Sequence, residues 1–344
     1  MSEIVTTSEG LEMLSNGNIL ELGRAANNLR QQIHPGNIVT FVIDRNINYT
    51  NICTSECRFC AFYRPVGHAD GYTLTESIIF EKLQETIAAG GTQVMLQGGL
   101  NPELGLSYYI NLLQFIKRNF DIIIHSFSPA EILHIANKEG LSVIETLARL
   151  KTAGLDSLPG GGAEILVDAV RQRVSPNKIS AGDWLSVMEA AHQVGLESTA
   201  TMVIGMGESY AQRMEHMEKV RALQDKTGGF RAFIIWSYQP GNTQLGGEKI
   251  SAWDYLKTLS VARLYFNNIK HIQGSWVTQG QNIGQLTLAF GANDLGSIML
   301  EENVVRAAGT SYEMSIDKML ELIRATGKIP AQRDTLYNII KRFE

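Results

Sequence analysis

The sequence predicts an α/β protein built as a (βα) barrel of the TIM type, with six to eight strand–helix units. Short apolar, β-branched runs alternate with amphipathic, helix-like stretches along most of the chain. Polar or glycine-rich segments follow these runs, such as QGGLNP, PGGGAE and GMGE. Such alternation indicates a parallel sheet covered by helices, and a closed barrel is its economical form in 344 residues.

The elements can be placed along the chain from these patterns. Strands are predicted at residues 38–49, 93–96, 122–125, 156–158, 198–204, 232–236, 272–276 and 286–290. Helices are predicted at residues 18–31, 76–89, 108–118, 143–153, 181–194, 210–226 and 252–266. No linker interrupts the chain, so we expect one domain over 1–344, with an N-terminal helical extension (1–36), a barrel core (about 38–290) and a C-terminal helical cap (about 291–344).

Charge and hydropathy narrow the class of protein. A net charge of −5 argues against nucleic acid as the main partner, because phosphate binding needs clustered lysine and arginine. The first ten residues are polar, and no apolar run approaches the roughly 18–20 residues that span a bilayer. We therefore expect a cytoplasmic protein with no membrane span.

Three cysteines form the most informative motif. Cys53, Cys57 and Cys60 follow the first predicted strand with the spacing C-x₃-C-x₂-C, and no other cysteine exists to pair with them. Thiolates are soft ligands for an iron–sulfur cluster or for zinc. A four-iron cluster on three cysteines leaves one iron open. The alternative is a zinc-stabilised binding protein with His68 as the fourth ligand.

Two loops at predicted strand ends suggest ligand contacts. In PGGGAE, Glu164 is placed to accept both hydroxyls of a ribose, or else it lies in the first turn of a helix over 163–170. Arg173 offers a bidentate fork for a carboxylate, with a surface salt bridge as the other interpretation. A phosphate-binding barrel that uses PGGGAE as an anion loop is a further alternative.

The cysteine segment, with aromatic Phe59 before the last cysteine, resembles the signature of the radical S-adenosylmethionine (SAM) superfamily. Segments along nearly the entire chain resemble the cyclic dehypoxanthinyl futalosine synthase family of the futalosine route to menaquinone, among them NYTNICTSECRFCAFYRPVGHADGY, LQGGLNP, HSFSPAEI, GLDSLPGGGAEIL, GGFRAFIIWSYQPGNT and GSWVTQG. Aminofutalosine synthase and the F₀ synthase subunit share the cysteine segment and the PGGGAE loop, and they remain the alternatives within the superfamily.

The resemblance implies a set of cofactor residues. It implies that Cys53, Cys57 and Cys60 hold a [4Fe–4S] cluster whose fourth iron binds SAM. It also implies contacts to SAM from the following residues: Phe59, Gln97, Gly98, Gly99, Glu164 and Arg173.

The resemblance further implies a C–C bond-forming cyclase and oxidoreductase. A 5′-deoxyadenosyl radical takes the ribose C4′ hydrogen of a nucleoside-like substrate, dehypoxanthine futalosine, and the ring closes onto its benzoate. A one-electron donor such as flavodoxin or ferredoxin is implied as partner. We expect the substrate to be bound by Arg64, His68, Thr278, Asn293 and Glu302, and the ring proton to leave to His68, Asp294 or Glu301.

Overall fold

The computed structural model describes residues 4–344, so residues 1–3 of the predicted N-terminal extension lie outside the described part. The strands are β1 (Ile38–Val42), β2 (Asp44–Ile47), β3 (Gln93–Leu96), β4 (Ile123–Ile124), β5 (Ser198–Ile204), β6 (Phe230–Ser237), β7 (His271–Gln273), β8 (Asp294–Ser297), β9 (Ile329–Arg333) and β10 (Ile339–Arg342). The helices are α1 (Thr7–Asn16), α2 (Ile19–Ile33), α3 (Glu76–Ala88), α4 (Leu106–Asn119), α5 (Pro129–Glu139), α6 (Val143–Ala153), α7 (Asp168–Val174), α8 (Ala181–Gln193), α9 (Tyr210–Thr227), α10 (Ala252–Tyr265), α11 (Gln281–Thr287), α12 (Asn303–Ala307) and α13 (Ile316–Arg324).

The barrel closes through parallel pairing of neighbouring strands. β1 and β2 are separated by one residue and form a single bent strand, which pairs with β3 on one edge and with β8 on the other. β3 pairs with β4, and β5 to β8 pair in chain order. Two isolated bridges, His125 with Ser157 and Leu158 with Ser198, join the halves through a short fourth strand. The predicted TIM-type barrel is confirmed.

The predicted strand at 286–290 is wrong. Those residues lie at the end of α11 and in the turn after it, and the last barrel strand is β8. The run Leu286–Phe290 is apolar, and a short apolar run does not separate a strand from a buried helix. β8 instead carries one large apolar side chain, Leu295, and a glycine, Gly296, at φ +72°, so its pattern is weak.

The region predicted as a C-terminal helical cap also contains strands. It begins with β8, continues through α12 and α13, and ends with β9 and β10. β9 pairs in parallel with β1, beside the point where β3 pairs with β2. Arg333, the last residue of β9, forms a buried bidentate ion pair with Asp294 of β8, at 2.6 and 3.1 Å. The chain end is thereby fixed to the amino-terminal end of the barrel.

The N-terminal helices pack against the barrel's outer layer. A capping box at Thr6 and Glu9 starts α1, and Asn18 caps α2. Gly23 of α2 lies so close to the Phe290 ring that an added Cβ would come within 2.6 Å of it. Among residues 4–344 no helix combines the length and the apolar character needed to cross a membrane.

The Asp294–Arg333 pair gives a stability prediction. Asp294→Ala leaves the Arg333 guanidinium buried without a counter-charge, and we expect a loss of about 3–5 kcal/mol in unfolding free energy. Urea denaturation measures it. Glu145→Ala, which breaks an exposed pair with Arg149, is the control and should cost at most about 0.5 kcal/mol. Equal losses in the two variants would contradict the structural role.

Candidate active site

The cysteine loop follows β2 and folds back on itself at the carboxyl end of the barrel. The Cys53 N–H donates to the Arg64 carbonyl at 2.9 Å, and the Arg64 N–H donates to the Asn51 carbonyl at 2.8 Å. The Cys60 N–H donates to the Cys57 carbonyl at 3.0 Å, which closes a tight turn. All three thiols line one cavity of about 800 Å³.

Polar groups surround two of the sulfurs. Cys53 Sγ accepts from the N–H groups of Ser55 at 3.4 Å and Leu100 at 3.3 Å, and Cys57 Sγ lies 3.6 Å from Ser55 Oγ. Such outer contacts stabilise and orient metal-bound thiolates. Burial raises the pKa of the free Cys57 thiol to about 11, so ligation displaces a proton there.

The three thiols line one cavity wall, as the ligands of a multi-iron cluster do. In residues 4–344 no three Cys, His, Asp or Glu side chains converge as the ligands of one metal ion do. Each thiolate of a four-iron cluster binds a different iron, so the thiols have to be distributed around a cavity wall. His68, the fourth ligand of the zinc alternative, lines a separate surface cavity, to which Cys60 alone of the cysteines contributes.

Gly98 and Gly99 allow two loops to pack closely beside the thiols. A Cβ on Gly98 would lie 2.4 Å from the Tyr49 ring, and one on Gly99 would lie 2.2 Å from the Ile52 carbonyl oxygen. Both glycines and Gln97 line the thiol cavity, as the sequence predicts. Close backbone approach is therefore a sufficient reason for glycine at these positions.

A carboxylate that the sequence interpretation missed fixes the glycine loop. Glu131, in the first turn of α5, accepts hydrogen bonds from the Gly98 N–H at 3.0 Å, the Tyr49 hydroxyl at 2.6 Å and the Ser128 hydroxyl at 2.7 Å. Burial raises the pKa of Glu131 to about 7, although the three donors act in the opposite direction. Glu131 also lines the thiol cavity.

Glu164 lies in a strained loop, before any helix begins. Its φ is +40°, and α7 starts only at Asp168, so the alternative of a first helical turn is wrong. Its buried carboxylate pairs with Lys178 at 2.7 Å and Arg171 at 3.4 Å. Burial alone would lower the pKa of Lys178, but the Glu164 carboxylate and the Cys57 thiol raise it above its ordinary value.

The cation at this cavity is Lys178, where we expected Arg173. Lys178 lines the cavity with its Nζ 5.4 Å from the Phe59 ring centre. Arg173 is exposed and donates to the Met206 carbonyl at 2.9 Å. Residues two apart on a helix point in different directions, so burying Arg171 turns Arg173 outward.

Arg64 supports the cysteine loop from outside. Its Nη1 donates to the carbonyl oxygens of residues 61, 62 and 63, at 3.3, 3.4 and 2.9 Å. His68 is 42% exposed and lies 3.9 Å from Asp70. Both residues line the surface cavity and neither lines the thiol cavity, so they are not brought together with the glycine loops.

Two of the acids from the last barrel unit reach the carboxyl end. Glu301 and Glu302 line a groove of about 790 Å³ above the barrel. Glu301 pairs with Lys82 at 2.7 Å, and Glu302 caps α12 by accepting from the Val305 N–H at 2.8 Å. Burial raises the pKa of Glu302. Thr278 is buried, and its Oγ1 accepts from the Ser237 N–H at 3.3 Å.

Asn293 and Asp294 lie at the opposite end from the thiols, contrary to expectation. They were predicted to follow a strand, but they precede and begin β8. The Asn293 side chain is held by Arg263 and by the Ile272 N–H, and Asp294 pairs with Arg333. Because their side chains are taken up by these structural contacts, neither residue is placed to contact a substrate at the carboxyl end of the barrel.

Glu131 and Lys178 are the acidic and basic cavity residues that residue spacing did not identify. The segment HSFSPAEI contained a usable signal, since Ser128-Pro129 followed by Glu131 predicts a helix start directly after a strand. For Lys178 no local pattern marks a site.

Comparison with known proteins agrees with this geometry. The family model of the radical SAM superfamily matches residues 47–220, and the model of the CofH/MqnC C-terminal region matches residues 227–343. A cyclic dehypoxanthine futalosine synthase of Halalkalibacterium halodurans is 49% identical, covering 99% of this chain and 93% of that protein. The protein of that name from Streptomyces coelicolor is 44% identical, covering 97% and 85%.

Among solved structures, the FeFe-hydrogenase maturase HydG from Carboxydothermus hydrogenoformans superposes with a TM-score of 0.78 at 16% identity, covering 97% of this chain and 78% of that one. At that identity the likeness shows the fold alone. The chain belongs to the radical SAM superfamily, whose cofactors are a [4Fe–4S] cluster and SAM. Within that superfamily it is similar over nearly its full length to the cyclic dehypoxanthine futalosine synthases.

The cluster assignment can be tested directly. Replacing Cys53, Cys57 or Cys60 by Ala should abolish or deform the Fe–S absorption of anaerobically purified protein, which otherwise carries about four irons with matching sulfide. Thr54→Ser is the matched control, because Thr54 is an exposed residue of the same loop whose hydroxyl contacts the Leu100 carbonyl and no thiol, and serine keeps that hydroxyl. Unchanged iron content and SAM cleavage in any cysteine variant would contradict the assignment.

The buried Glu131 predicts a pH effect on stability. Its folded pKa of about 7 exceeds the ordinary value of 4.5, so between these pH values the unfolded chain loses a proton that the folded protein keeps. Stability therefore falls as pH rises through this window, and Glu131→Gln removes the effect. From pH 5.5 to 7.5, wild-type protein should lose about 2 kcal/mol relative to the variant in urea titrations. Parallel pH profiles would show that Glu131 keeps an ordinary pKa.

Proposed function

We propose that this radical SAM enzyme converts dehypoxanthine futalosine to cyclic dehypoxanthine futalosine, a step in menaquinone biosynthesis. The main support is that the chain is 49% identical, over almost its whole length, to a cyclic dehypoxanthine futalosine synthase. The thiol cavity at the carboxyl end of the barrel supports the proposal, because the three thiols, the Gln97–Gly99 loop and Lys178 all line it.

The proposed SAM site uses the cavity wall next to the thiols. Gly98 and Gly99 offer backbone carbonyls to the methionine amino group of SAM. The loop that carries these glycines is held in place by the hydrogen bond from the Gly98 N–H to Glu131. Glu164 is the proposed acceptor for the ribose hydroxyls, and Lys178 replaces Arg173 as the proposed partner of the SAM carboxylate. The support is that Lys178 lines the cavity whereas Arg173 lies outside it.

When bound, the cluster and SAM supply the one-electron chemistry that removes a hydrogen atom from the substrate. The protein positions the ribose C4′ against the benzoate ring and excludes water from the barrel. The aromatic ring loses one proton as it is restored, so the protein must hold a base. Of the three residues expected to accept this proton, Glu301 lines the groove above the barrel. Asp294 lies at the amino-terminal end of the barrel, and His68 lines a cavity on the outer surface.

The proposed electron donor is a small acidic carrier such as flavodoxin or ferredoxin, with the enzyme in the cytoplasm. Exposed Arg58 and Arg173 lie beside each other next to the cysteine loop, joined by a hydrogen bond from Arg58 Nη1 to the Arg173 carbonyl at 3.0 Å. Such a basic surface favours association with an acidic partner.

The reaction predicts where the C4′ hydrogen goes. Dehypoxanthine futalosine deuterated at C4′, incubated anaerobically with SAM and a reductant, should deliver its deuterium to 5′-deoxyadenosine. The product should weigh two hydrogens less than unlabelled substrate, since one hydrogen leaves C4′ and one leaves the ring. Mass spectrometry of both products makes the measurement.

The same assay with the substrates of aminofutalosine synthase and F₀ synthase is the control. No coupled product is expected, because a misplacement of about 1 Å at the reacting atoms can cost about 100-fold in rate. Deuterium retained in the cyclised product, or efficient turnover of a rival substrate, would assign the chain to a neighbouring family.

A further inference from the structure

A second cavity lies inside the barrel, closer to its amino-terminal end than the thiol cavity. Asp44 in β2 lines this lower cavity, whereas Asn48, directly after β2, lines the thiol cavity. Gln93 in β3 and Gln97, directly after β3, divide in the same way. At about 3.3 Å per residue these levels are about 13 Å apart. Trp276 and Met299 line both the lower cavity and the groove above the barrel, so the lower cavity adjoins the carboxyl end.

Arg231 reaches the lower cavity because of a β-bulge. Between β5 and β6, Ser198 pairs with Phe230 and the next residue, Thr199, pairs with Ala232. Arg231 is thus the extra residue of the bulge, and bulges redirect side chains and often occur beside functional sites. The Arg231 side chain is 9% exposed and lines the cavity.

The guanidinium of Arg231 is only partly satisfied. Its Nη2 donates to Ser157 Oγ at 2.5 Å, and its Nη1 lies 3.4 Å from the carboxylate of Glu197, which is 56% exposed. Its Nε–H is buried and has no acceptor in the described residues. A ligand oxygen would supply the acceptor that this buried donor lacks.

Other free donors line the same cavity. Thr199 Oγ1 accepts from the Gly160 N–H at 3.1 Å, and its own proton has no acceptor among residues 4–344. The Gln273 amide and the Trp236 indole N–H are further donors on the wall of this cavity. The cavity therefore offers several donors, next to aromatic side chains.

His125 adds an acceptor and no charge. Ser157 Oγ donates its single proton to the Glu197 carbonyl at 2.8 Å, so the contact of 2.8 Å between Ser157 Oγ and His125 Nδ1 requires a proton on that nitrogen. His125 Nε2 then carries a lone pair. Burial, with Arg231 and Arg333 nearby, keeps the pKa of His125 well below its ordinary value.

The remaining charged groups of the cavity wall are already paired. Arg333 donates from Nε and Nη2 to the two carboxylate oxygens of Asp294, and from Nη1 to the Asp334 carbonyl at 3.0 Å. Both carboxylate oxygens of Asp44 accept hydrogen bonds, one from Gln93 at 2.5 Å and one from Ser297. Arg231 is the cation left with capacity for a ligand.

We propose that Arg231 binds the aryl carboxylate of the substrate in the lower cavity, an inference that rests on the function proposed above. Thr199 and Gln273 supply further donors to that carboxylate, and Trp236 and Trp276 provide apolar walls for the ring. Because ring closure joins the ribose C4′ to this same ring, the ribose then lies against the ring on the side toward the thiols.

The test compares dehypoxanthine futalosine with its carboxamide analogue, by calorimetric titration of the anaerobic, cluster-loaded enzyme with SAM present. Wild-type protein should bind the acid about 10- to 100-fold more tightly than the amide, since a charge-assisted hydrogen bond is lost in the amide. In Arg231→Gln this ratio should fall to near one, while SAM affinity stays unchanged.

Two variants keep the test decisive if Arg231→Gln is unstable. Gln273→Glu is nearly isosteric and places a negative charge beside the subsite, so it should lower the acid-to-amide ratio about tenfold or more. Glu197→Gln, which removes only the exposed partner of Arg231, is the control and should keep the wild-type ratio.

The outcomes separate the two proposals. A wild-type enzyme that binds neither compound contradicts the proposed function. A wild-type enzyme that binds the acid without preferring it to the amide overturns the role of Arg231 and leaves the function intact. The same conclusion follows if Arg231→Gln or Gln273→Glu keeps the preference.

Discussion

One buried carboxylate determines how the site is assembled. Glu131 accepts hydrogen bonds from the Tyr49 hydroxyl, just before the cysteine loop, from the Gly98 N–H in the next loop, and from the Ser128 hydroxyl at the start of its own helix. The donors belong to three consecutive barrel units. Because each donor is fixed by the same two oxygens, the spacing between the thiols and the glycine loop depends on this network. Full hydrogen bonding is what makes burial of this acid tolerable.

The sequence was sufficient for the features that are local. The strands at 93–96 and 198–204 and the helix at 143–153 have the predicted bounds, because β-branched runs and a clear capping serine mark them. The three cysteines are also close in sequence, so their spacing alone indicated that the three thiols lie near each other, and all three line one cavity. Such signals depend on neighbouring residues only.

Features that depend on distant contacts were not predictable. Tyr49 and Glu131 are 82 positions apart, and Lys178 reaches the thiols from beyond α7. Residue spacing also does not show at which end of the barrel a polar residue lies when the neighbouring strand is wrongly predicted. The apolar run before Asn293 and Asp294 predicts a strand that would put both residues at the substrate end, but the true strand begins at Asp294. Polar residues at the two ends of a barrel strand look alike in sequence but differ in role.

The position of β9 also affects how the barrel forms. Asp44 and Gln93, which join the first two strands, are 49 positions apart, whereas Thr40 and Asp294, which join the first and last, are 254 apart. The opposite edge of β1 is covered by β9, which comes later still. While the chain is being synthesised, β1 therefore remains an unpaired edge strand until residues beyond 294 are available. Its apolar residues, including Val39 and Phe41, stay exposed to aggregation during that interval, and the high contact order of this pairing makes closure slow.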